Sequence, residues 1–259
     1  MDNKRIVIKV GTSTLTHENG TLNFRRLEKL CMVLCDLHNQ GHEIALVSSG
    51  AIGVGVSHLS LKERPKDIKE KQAAAAVGQC QLMSIYDSFF KQYGQLIAQI
   101  LLTKEVIDDP VRKQNAINTI STLFAYGVIP IVNENDSVSI DEIEAEFREN
   151  DTLAAIVGII IGADLVINLS DIDGLYDSDP RENEKSKFIP VVTEFDSNIL
   201  NSAGEAGTKR GKGGMATKVT AAMMLRSYKI NMVIAAGDDP EILYGILDGT
   251  AKCTTFVNN

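Results

Sequence analysis

Short β-branched runs alternate with longer amphipathic segments along most of this chain, and that alternation limits the fold more than any other feature. Strands are predicted at Arg5–Val10, Glu43–Val47, Leu96–Leu101, Val128–Val132, Leu165–Leu169 and Met232–Ala235. Several of these runs are apolar on both faces, which is typical of strands in a sheet covered on both sides.

Helical patterns separate these strands. They are predicted at Phe24–Asn39, Lys69–Tyr93, Pro110–Tyr126, Asp151–Ile161 and Met215–Ser227. Pro110 suits a first helical turn, and Asp109 before it suits an N-cap. Strands and helices in this order predict an α/β fold with a mainly parallel sheet between two layers of helices.

One polar segment, residues 171–214, interrupts this rhythm with many charges and two prolines. Long loops inside compact domains are uncommon and often functional, so we interpret it as a lid or an excursion containing a hairpin. At 259 residues the chain suits a single domain, 1–259. We expect residues 1–165 to carry one ligand site and residues 166–259 another.

The balance of charge argues against several partners. The net charge is −8, from 26 basic and 34 acidic residues, and an acidic surface repels nucleic acid. The one short basic run, Lys209–Lys212, is too small to change that. The most apolar stretch, Leu153–Ile161, is far shorter than the roughly 18 residues that span a bilayer.

The cysteines and the start of the chain indicate a cytoplasmic protein. None of the four cysteines forms a C-x-x-C pair, and we expect Cys31 and Cys35 to be buried, reduced thiols on one helix face. The first residues lead directly into a predicted strand, so we expect no signal peptide.

Candidate ligand-binding residues follow the predicted strands. Lys9 precedes Gly11-Thr12-Ser13, an arrangement that brings a positive charge and free backbone N–H groups to an anion. It is not a Walker A loop, and a strand-end lysine reaching solvent is the alternative. The second strand also ends in small residues, Ser48-Ser49-Gly50, before a helical pattern. Open α/β sheets bind ligands at this edge.

Asparagine and aspartate cluster after the fourth strand, at Asn133–Asp136 and again at Asn150-Asp151. Helix capping and turns alone would explain both sets. Their chemistry also suits a zwitterion, because Asp136 can accept from an α-ammonium while asparagine amides donate to a carboxylate.

A cationic helix start is predicted near the end of the chain. Gly213-Gly214 precede a helix that carries Lys218 in its first turns. The positive end of a helix with an added lysine suits nucleotide phosphates.

Together, the segments Lys9–Ser13, Ser48–Ile52, Asn133–Asp136 and Gly213–Lys218 resemble the amino-acid kinase superfamily and, within it, the glutamate 5-kinase family. The resemblance runs from Lys9 to the helix after Lys218. It implies a three-layer αβα sandwich with about eight strands. It also implies transfer of the γ-phosphoryl group of ATP to L-glutamate, giving L-glutamyl 5-phosphate, the first step toward proline.

The resemblance also implies roles for individual residues. The expected catalytic residues are Lys9, Lys218 and Asp151, with Asp151 holding the two lysines. The expected glutamate-binding residues are Ser49, Gly50, Asn135, Asp136 and Asn150. The expected ATP-binding residues are Lys9, Gly11, Ser170, Asp171, Lys212, Gly213, Gly214, Met215, Ala216, Thr217 and Lys218. We expect no protein metal site, with Mg²⁺ held mainly through ATP and water.

Three departures from the family pattern stand out. Lys212 occupies a position that is commonly Thr, Glu149 occupies one that is usually Asp, and we expect no C-terminal PUA domain. The resemblance further implies homo-oligomers, feedback inhibition by proline and handover of the product to glutamyl phosphate reductase.

Two classes of alternative remain open. A sibling kinase would act on acetylglutamate, aspartate, carbamate or a nucleoside monophosphate, and a non-catalytic sensor would only bind an amino acid or nucleotide. A dinucleotide-binding oxidoreductase lacks the expected G-x-G-x-x-G after the first strand.

Overall fold

The computed structural model describes residues 3–17, 21–138, 150–202 and 214–258. The strands in these residues are β1 (Arg5–Val10), β2 (Glu43–Ser48), β3 (Ile97–Leu102), β4 (Ile129–Glu134), β5 (Leu165–Ser170), β6 (Leu175–Tyr176), β7 (Phe188–Ile189), β8 (Val191–Val192), β9 (Asn231–Ala236) and β10 (Thr254–Phe256). Eight of them form one sheet in the order β3-β4-β2-β1-β5-β9-β10-β8.

The sheet is mainly parallel, as predicted. β1 lies at its centre and pairs in parallel with β2 on one side and β5 on the other. Among the described strands, β10 and β8 run against the rest, because β10 pairs antiparallel with β9 and parallel with β8. The carboxyl ends of the six long parallel strands therefore meet at one edge, where open α/β sheets bind ligands.

The helices of the described residues cover both faces. They are α1 (Thr12–Leu15), α2 (Phe24–Asn39), α3 (Ala51–His58), α4 (Ile68–Gln92), α5 (Pro110–Ala125), α6 (Asp151–Ile161), α7 (Ser197–Ser202), α8 (Met215–Arg226) and α9 (Ile242–Asp248), with a 3₁₀ turn at Lys104–Val106. The predicted N-cap is confirmed, because Asp109 Oδ1 accepts from the backbone N–H groups of Val111 and Arg112.

An apolar core on each face of the sheet holds a layer of helices against it. The side chains of α5, α6 and α8 pack on the sheet face that carries Val7 and Val166. Those of α2, α4 and α9 pack on the opposite face, which carries Ile8 and Ile167. Because successive side chains alternate across a strand, buried strands with both faces covered are apolar throughout. The predicted αβα sandwich is confirmed.

The helices α3 and α4 approach each other closely through two glycines. A Cβ atom on Gly78 would lie 1.8 Å from the carbonyl oxygen of Ala51, and one on Gly55 would lie 1.8 Å from that of Ala74. No side chain fits at either position. This contact determines the position of α3, which follows the end of β2, beside the edge of the sheet.

The long polar segment contains a hairpin, as predicted. β6 pairs antiparallel with β7, and β8 then adds to the edge of the main sheet. The sequence did not predict these two-residue strands, since such short runs give no periodic signal. The interpretation as a lid stays a prediction, partly because residues 203–213 lie outside the described residues.

Candidate active site

Two lysines from different elements meet one carboxylate below the carboxyl edge of the sheet. Lys9 is the fifth residue of β1, Asp151 is the first residue of α6, and Lys218 lies in the first turn of α8. Lys9 Nζ lies 2.8 Å from Asp151 Oδ1, and Lys218 Nζ lies 3.4 Å from Asp151 Oδ2. The structure therefore brings together the three residues predicted as catalytic.

This cluster is fully buried. The side chains of Lys9, Lys218 and Asp151 are at most 2% exposed. Burial by itself raises the pKa of Asp151, but the charges of Lys9 and Lys218 outweigh it and lower that pKa to about 2. Asp151 stays ionised, with one ammonium group beside each of its oxygens.

Further donors fix the Asp151 carboxylate. Thr217 Oγ1 donates to Asp151 Oδ2 at 2.7 Å, and Asn168 Nδ2 donates to Oδ1 at 2.7 Å. Lys218 Nζ also donates to the carbonyl oxygen of Gly214 at 3.4 Å. Asn168 was not among the predicted site residues, although an amide inside the apolar run of β5 was a visible signal.

A second buried polar network lies at the ends of β2 and β4. Asn150 Nδ2 donates to the Ser48 carbonyl oxygen at 2.7 Å and to Asn133 Oδ1 at 2.8 Å. Asn133 Nδ2 donates to Gln79 Oε1 at 2.8 Å, and Ser48 Oγ bonds the hydroxyl of Tyr86 at 2.8 Å. Both hydrogens of the Asn150 amide are thus used within the protein, leaving Oδ1 as its group for a ligand.

Gln79 and Tyr86 are the members of this network that sequence reasoning missed. Both lie in α4, where Gln79 is 8% and Tyr86 0% exposed. Their helical spacing made them indistinguishable from ordinary core positions, and only the fold brings them to β2 and β4.

Asp136 lies just beyond β4, partly buried, next to a second carboxylate. Burial raises the pKa of Asp136 to about 6, and the negative charge of Glu134 adds to this effect. A carboxylate in this state gains from a cationic ligand, because an ammonium group lowers the cost of ionising it. Asn135 lies between the two, and its side-chain oxygen accepts from Ser137 Oγ at 2.7 Å.

The turn after β2 offers an unused hydroxyl. Gly50 has a φ of 100°, in the left-handed region that favours glycine. This turn leads into α3 and buries Ser49 Oγ, which has no hydrogen-bond partner among the residues that the structure describes. A buried hydroxyl without a partner is uncommon, and a ligand atom would satisfy it.

The predicted ATP-binding residues that the structure describes lie at the end of β1, at the end of β5 and at the start of α8. Gly214 caps α8 without a side-chain hydrogen bond, so the first N–H groups of α8 lack a side-chain cap. The residues Met215 and Ala216 lie in this first turn. Lys212 and Gly213 lie outside the described residues, as does Glu149.

Gly11 and the end of β5 also belong to the predicted ATP-binding region. A Cβ atom on Gly11 would lie 3.5 Å from Lys9 Nζ, so a glycine leaves room above that ammonium group. Ser170 ends β5, and its Oγ donates to Asp171 Oδ1 at 3.0 Å. Within the described ranges, no group of three or more His, Cys, Asp or Glu residues is arranged to hold a metal ion.

The two cysteines of α2 agree with the expectation. Cys31 and Cys35 are free and buried in α2. None of the helices in the described residues is both long and apolar enough to cross a membrane.

The sequence profile of the amino acid kinase family matches residues 4–236. The chain belongs to this family and, within it, groups with the glutamate 5-kinases. A glutamate 5-kinase of Clostridium perfringens is 55% identical over 258 residues, which cover 99% of this chain and 96% of that protein. One from Clostridium acetobutylicum is 52% identical, with 98% and 94% covered.

A longer relative and two solved structures extend the comparison. The glutamate 5-kinase of Thermoanaerobacter sp. (strain X514) is 51% identical over 98% of this chain, which covers 68% of that protein. UMP kinase from Ureaplasma parvum has a TM-score of 0.66 at 15% identity, covering 99% of this chain and 100% of the other. Carbamate kinase from Giardia lamblia bound to AMP-PNP has a TM-score of 0.68 at 14% identity, covering 100% and 99%. At this identity the two structures show a shared fold.

Proposed function

We propose that this protein transfers the γ-phosphoryl group of ATP to the side-chain carboxylate of L-glutamate, giving L-glutamyl 5-phosphate. The observation that carries this proposal is the buried cluster in which Lys9 and Lys218 both contact Asp151. Two ammonium groups are thus held at opposite oxygens of one buried carboxylate. A pair of cations fixed in this way is suited to the anionic groups of a phosphoryl transfer.

The reaction needs little acid–base chemistry. The glutamate γ-carboxylate is already a nucleophile near neutral pH, and ADP leaves as an anion. The obstacle is the approach of one anion to another while charge accumulates on the transferring group. Lys9 and Lys218 would stabilise that charge from opposite sides, with Asp151 setting their separation.

Glutamate recognition is assigned to the ends of β2 and β4. Asp136 accepts a hydrogen bond from the α-ammonium, which also favours ionisation of a carboxyl group whose pKa is about 6 in the free protein. Ser49 Oγ, which lacks a partner among the described residues, donates to a substrate carboxylate. Gly50 and Asn135 shape the pocket, and Asn150 anchors its floor through Ser48 and Asn133.

The nucleotide is assigned to the ends of β1, β5 and α8. The N–H groups at the start of α8, which receive no side-chain cap from Gly214, and the glycine at position 11 suit the binding of phosphates. Mg²⁺ enters as part of the Mg-ATP substrate, with Ser170 and Asp171 beside it. Residues 1–165 thus bind mainly the amino acid and residues 166–259 mainly ATP.

The partners follow from the product and the surface. An acyl phosphate is readily hydrolysed, so we assign its next step to a reductase that accepts it directly, glutamyl phosphate reductase. Proline, which shares the α-carboxylate and ammonium of glutamate, would inhibit by overlapping the same pocket. We place the reaction in the cytoplasm, since the described cysteines are all free.

A homo-oligomer is part of this proposal. Within the described sheet β3 pairs with β4 alone and forms one edge, and Leu96 beside it is 65% exposed. Uncovered apolar edge strands tend to associate with another chain.

Trapping the acyl phosphate tests the reaction directly. Purified protein is incubated with Mg-ATP and hydroxylamine, with L-glutamate, N-acetylglutamate and L-aspartate offered separately. We expect hydroxamate with glutamate alone. Hydroxamate with another acid would overturn the assignment of Asp136, and no hydroxamate from protein that binds ATP would favour the sensor.

A further inference from the structure

An asparagine lies inside β5, one of the buried strands of the site. Asn168 belongs to β5, where its neighbours Ile167 and Leu169 are completely buried. Asn168 itself is 0% exposed. Asparagine is disfavoured in strands and is seldom fully buried. A buried amide costs free energy unless it is hydrogen-bonded, so this position calls for an explanation.

The register of the sheet places Asn168 beside Lys9. The two residues are direct partners in the β1–β5 pairing. Because side chains alternate along a strand, both lie on the face that also carries Val7 and Val166. This is the face covered by α6, whose first residue is Asp151.

Asn168 makes one strong contact and leaves one polar atom unused. Its Nδ2 donates to Asp151 Oδ1 at 2.7 Å, the same oxygen that Lys9 Nζ approaches at 2.8 Å. Its own Oδ1 is buried without a partner among the described residues. The reverse orientation of the amide is excluded, since it would point an oxygen at the carboxylate. The contact with Asp151 therefore determines how the side chain lies.

We infer that Asn168 is a positioning residue that fixes the rotation of the Asp151 carboxylate and, through it, the separation of Lys9 and Lys218. Lys9 and Asn168 hold Oδ1, while Thr217 and Lys218 hold Oδ2. Each oxygen thus has one charged and one neutral donor. Removing Asn168 leaves Oδ1 with Lys9 alone, and the carboxylate then turns more freely.

The chemical nature of the residue matters as much as the contact. Asn168 is neutral, so it orients Asp151 without adding a charge beside the two lysines. A lysine at this position would add a third positive charge next to Lys9 and Lys218, and an ionised aspartate would add a negative charge next to Asp151. An amide is the side chain of this size that donates to a carboxylate without either effect.

This inference rests on the proposed roles of Lys9, Lys218 and Asp151, and its test includes a variant that separates the two. Asn168→Leu keeps approximately the size of the side chain and removes the donor. Loss of a hydrogen bond to a charged group corresponds to a change of roughly tenfold or more in a rate constant. We expect kcat to fall about tenfold, with the KM values for ATP and glutamate changed less than about threefold.

Val166→Ala is the matched control. Val166 lies two residues earlier on the same strand face and is buried, so this change weakens the core without touching Asp151. We expect it to lower thermal stability while leaving kcat within about twofold of the parent. Equal losses of kcat in Asn168→Leu and Val166→Ala would reduce Asn168 to a packing residue and overturn the inference.

Asn168→Asp supplies a readout that packing does not affect. Its protonated carboxyl group donates to Asp151 as the amide does, whereas its ionised form repels Asp151. Burial and the charge of Asp151 raise the pKa of this new group, while Lys9 and Lys218 lower it. We expect the kcat ratio of Asn168→Asp to Asn168→Leu to rise as the pH falls from 9 to 6, and a constant ratio contradicts the inference.

Lys218→Ala in the same assay distinguishes the two levels of the proposal. If Lys218→Ala loses activity while Asn168→Leu retains the parent kcat, the inference on Asn168 fails and the proposed site stands. If Lys218→Ala retains activity as well, the assignment of the catalytic cluster fails first.

Discussion

Lys9 Nζ lies 2.8 Å from Asp151 Oδ1, and these two side chains are 1% and 0% exposed. A buried ion pair of this kind contributes little net stability compared with apolar residues, but loss of one partner is costly. It is therefore better explained by what the two groups do than by folding. In this protein the pair joins the central strand β1 to the start of α6, below the edge where both substrates are proposed to bind.

Replacement of Asp151 tests this interpretation through stability. Asp151→Asn leaves Lys9 and Lys218 buried with no counter-charge from this residue, so we expect a loss of about 3–5 kcal/mol in the free energy of unfolding near neutral pH. Denaturant titrations of both proteins measure this value. Asp87→Asn, which breaks an exposed ion pair with Lys91, is the control, and we expect a change below about 1 kcal/mol.

The same pair predicts a pH dependence of stability. The pKa of Asp151 is lowered to about 2, below the value of about 3.9 in an unfolded chain. A depressed pKa gives stability that is present above the unfolded value and is lost as the pH falls toward the folded one. We expect the parent to lose more unfolding free energy than Asp151→Asn between pH 5 and pH 2. Parallel curves for the two proteins would show that Asp151 is not held ionised.

Lys218 is expected to act on the transition state rather than on nucleotide binding. Lys218→Ala removes one of two cations, and loss of such a charge costs on the order of 3 kcal/mol, roughly a hundredfold in rate. We expect kcat to fall by that factor, with a much smaller rise in the KM for ATP. Lys91→Ala, at an exposed position on α4, serves as the control. An unchanged kcat in Lys218→Ala would remove this lysine from the mechanism.

The sequence was sufficient for the elements that are long and periodic. The helices α2 and α6 begin and end where the pattern predicted, and the strand β1 does as well. The short strand β10 and the helix α9 were missed. The three-residue strand β10 depends on tertiary pairing with β9 and β8, which no local pattern encodes.

The sequence alone predicted site residues only near the ends of strands and the starts of helices. Lys9, Asp151 and Lys218 stood out because charged residues followed apolar strands or opened a helix. Gln79 did not stand out, since it lies within α4 and becomes informative only through its contact with Asn133. Asn168 was visible as an amide in an apolar run, but its role depends on Asp151, which only the fold brings to it. The resemblance supplied roles, whereas the fold supplied the contacts between them.

Glutamate binding is expected to depend on the ionisation of Asp136. Its pKa is raised to about 6 by burial and by Glu134, and only its ionised form attracts an α-ammonium. We expect the KM for glutamate to rise as the pH falls below about 6 and to be constant well above it. Steady-state kinetics between pH 5 and pH 8 measure how the KM for glutamate depends on pH.

Two variants test whether Asp136 causes this pH dependence of the KM for glutamate. Asp136→Asn should raise the KM for glutamate at least about tenfold at pH 8, and the KM should no longer change through pH 6. Glu134→Gln removes the neighbouring negative charge, so the pKa of Asp136 falls. The rise of the KM for glutamate then begins at a lower pH. If Asp136→Asn bound glutamate as tightly as the parent, the pocket would lie elsewhere.

The contact between α3 and α4 gives a structural prediction that does not depend on the reaction. A Cβ atom on Gly78 would lie 1.8 Å from the carbonyl oxygen of Ala51, a backbone atom that cannot rotate away. Gly78→Ala must therefore separate the two helices, and overpacking of this kind costs about 1–3 kcal/mol or more.

Gly53 is the matched control for this contact, because it lies in the same helix α3 and a Cβ atom added there would meet no packing neighbour within 4 Å. Gly53→Ala should stabilise the helix by roughly 0.5–1 kcal/mol, since alanine restricts the unfolded chain more than glycine does. Thermal unfolding of both variants measures the difference. A Gly78→Ala protein as stable as the parent would disprove the close approach of α3 and α4.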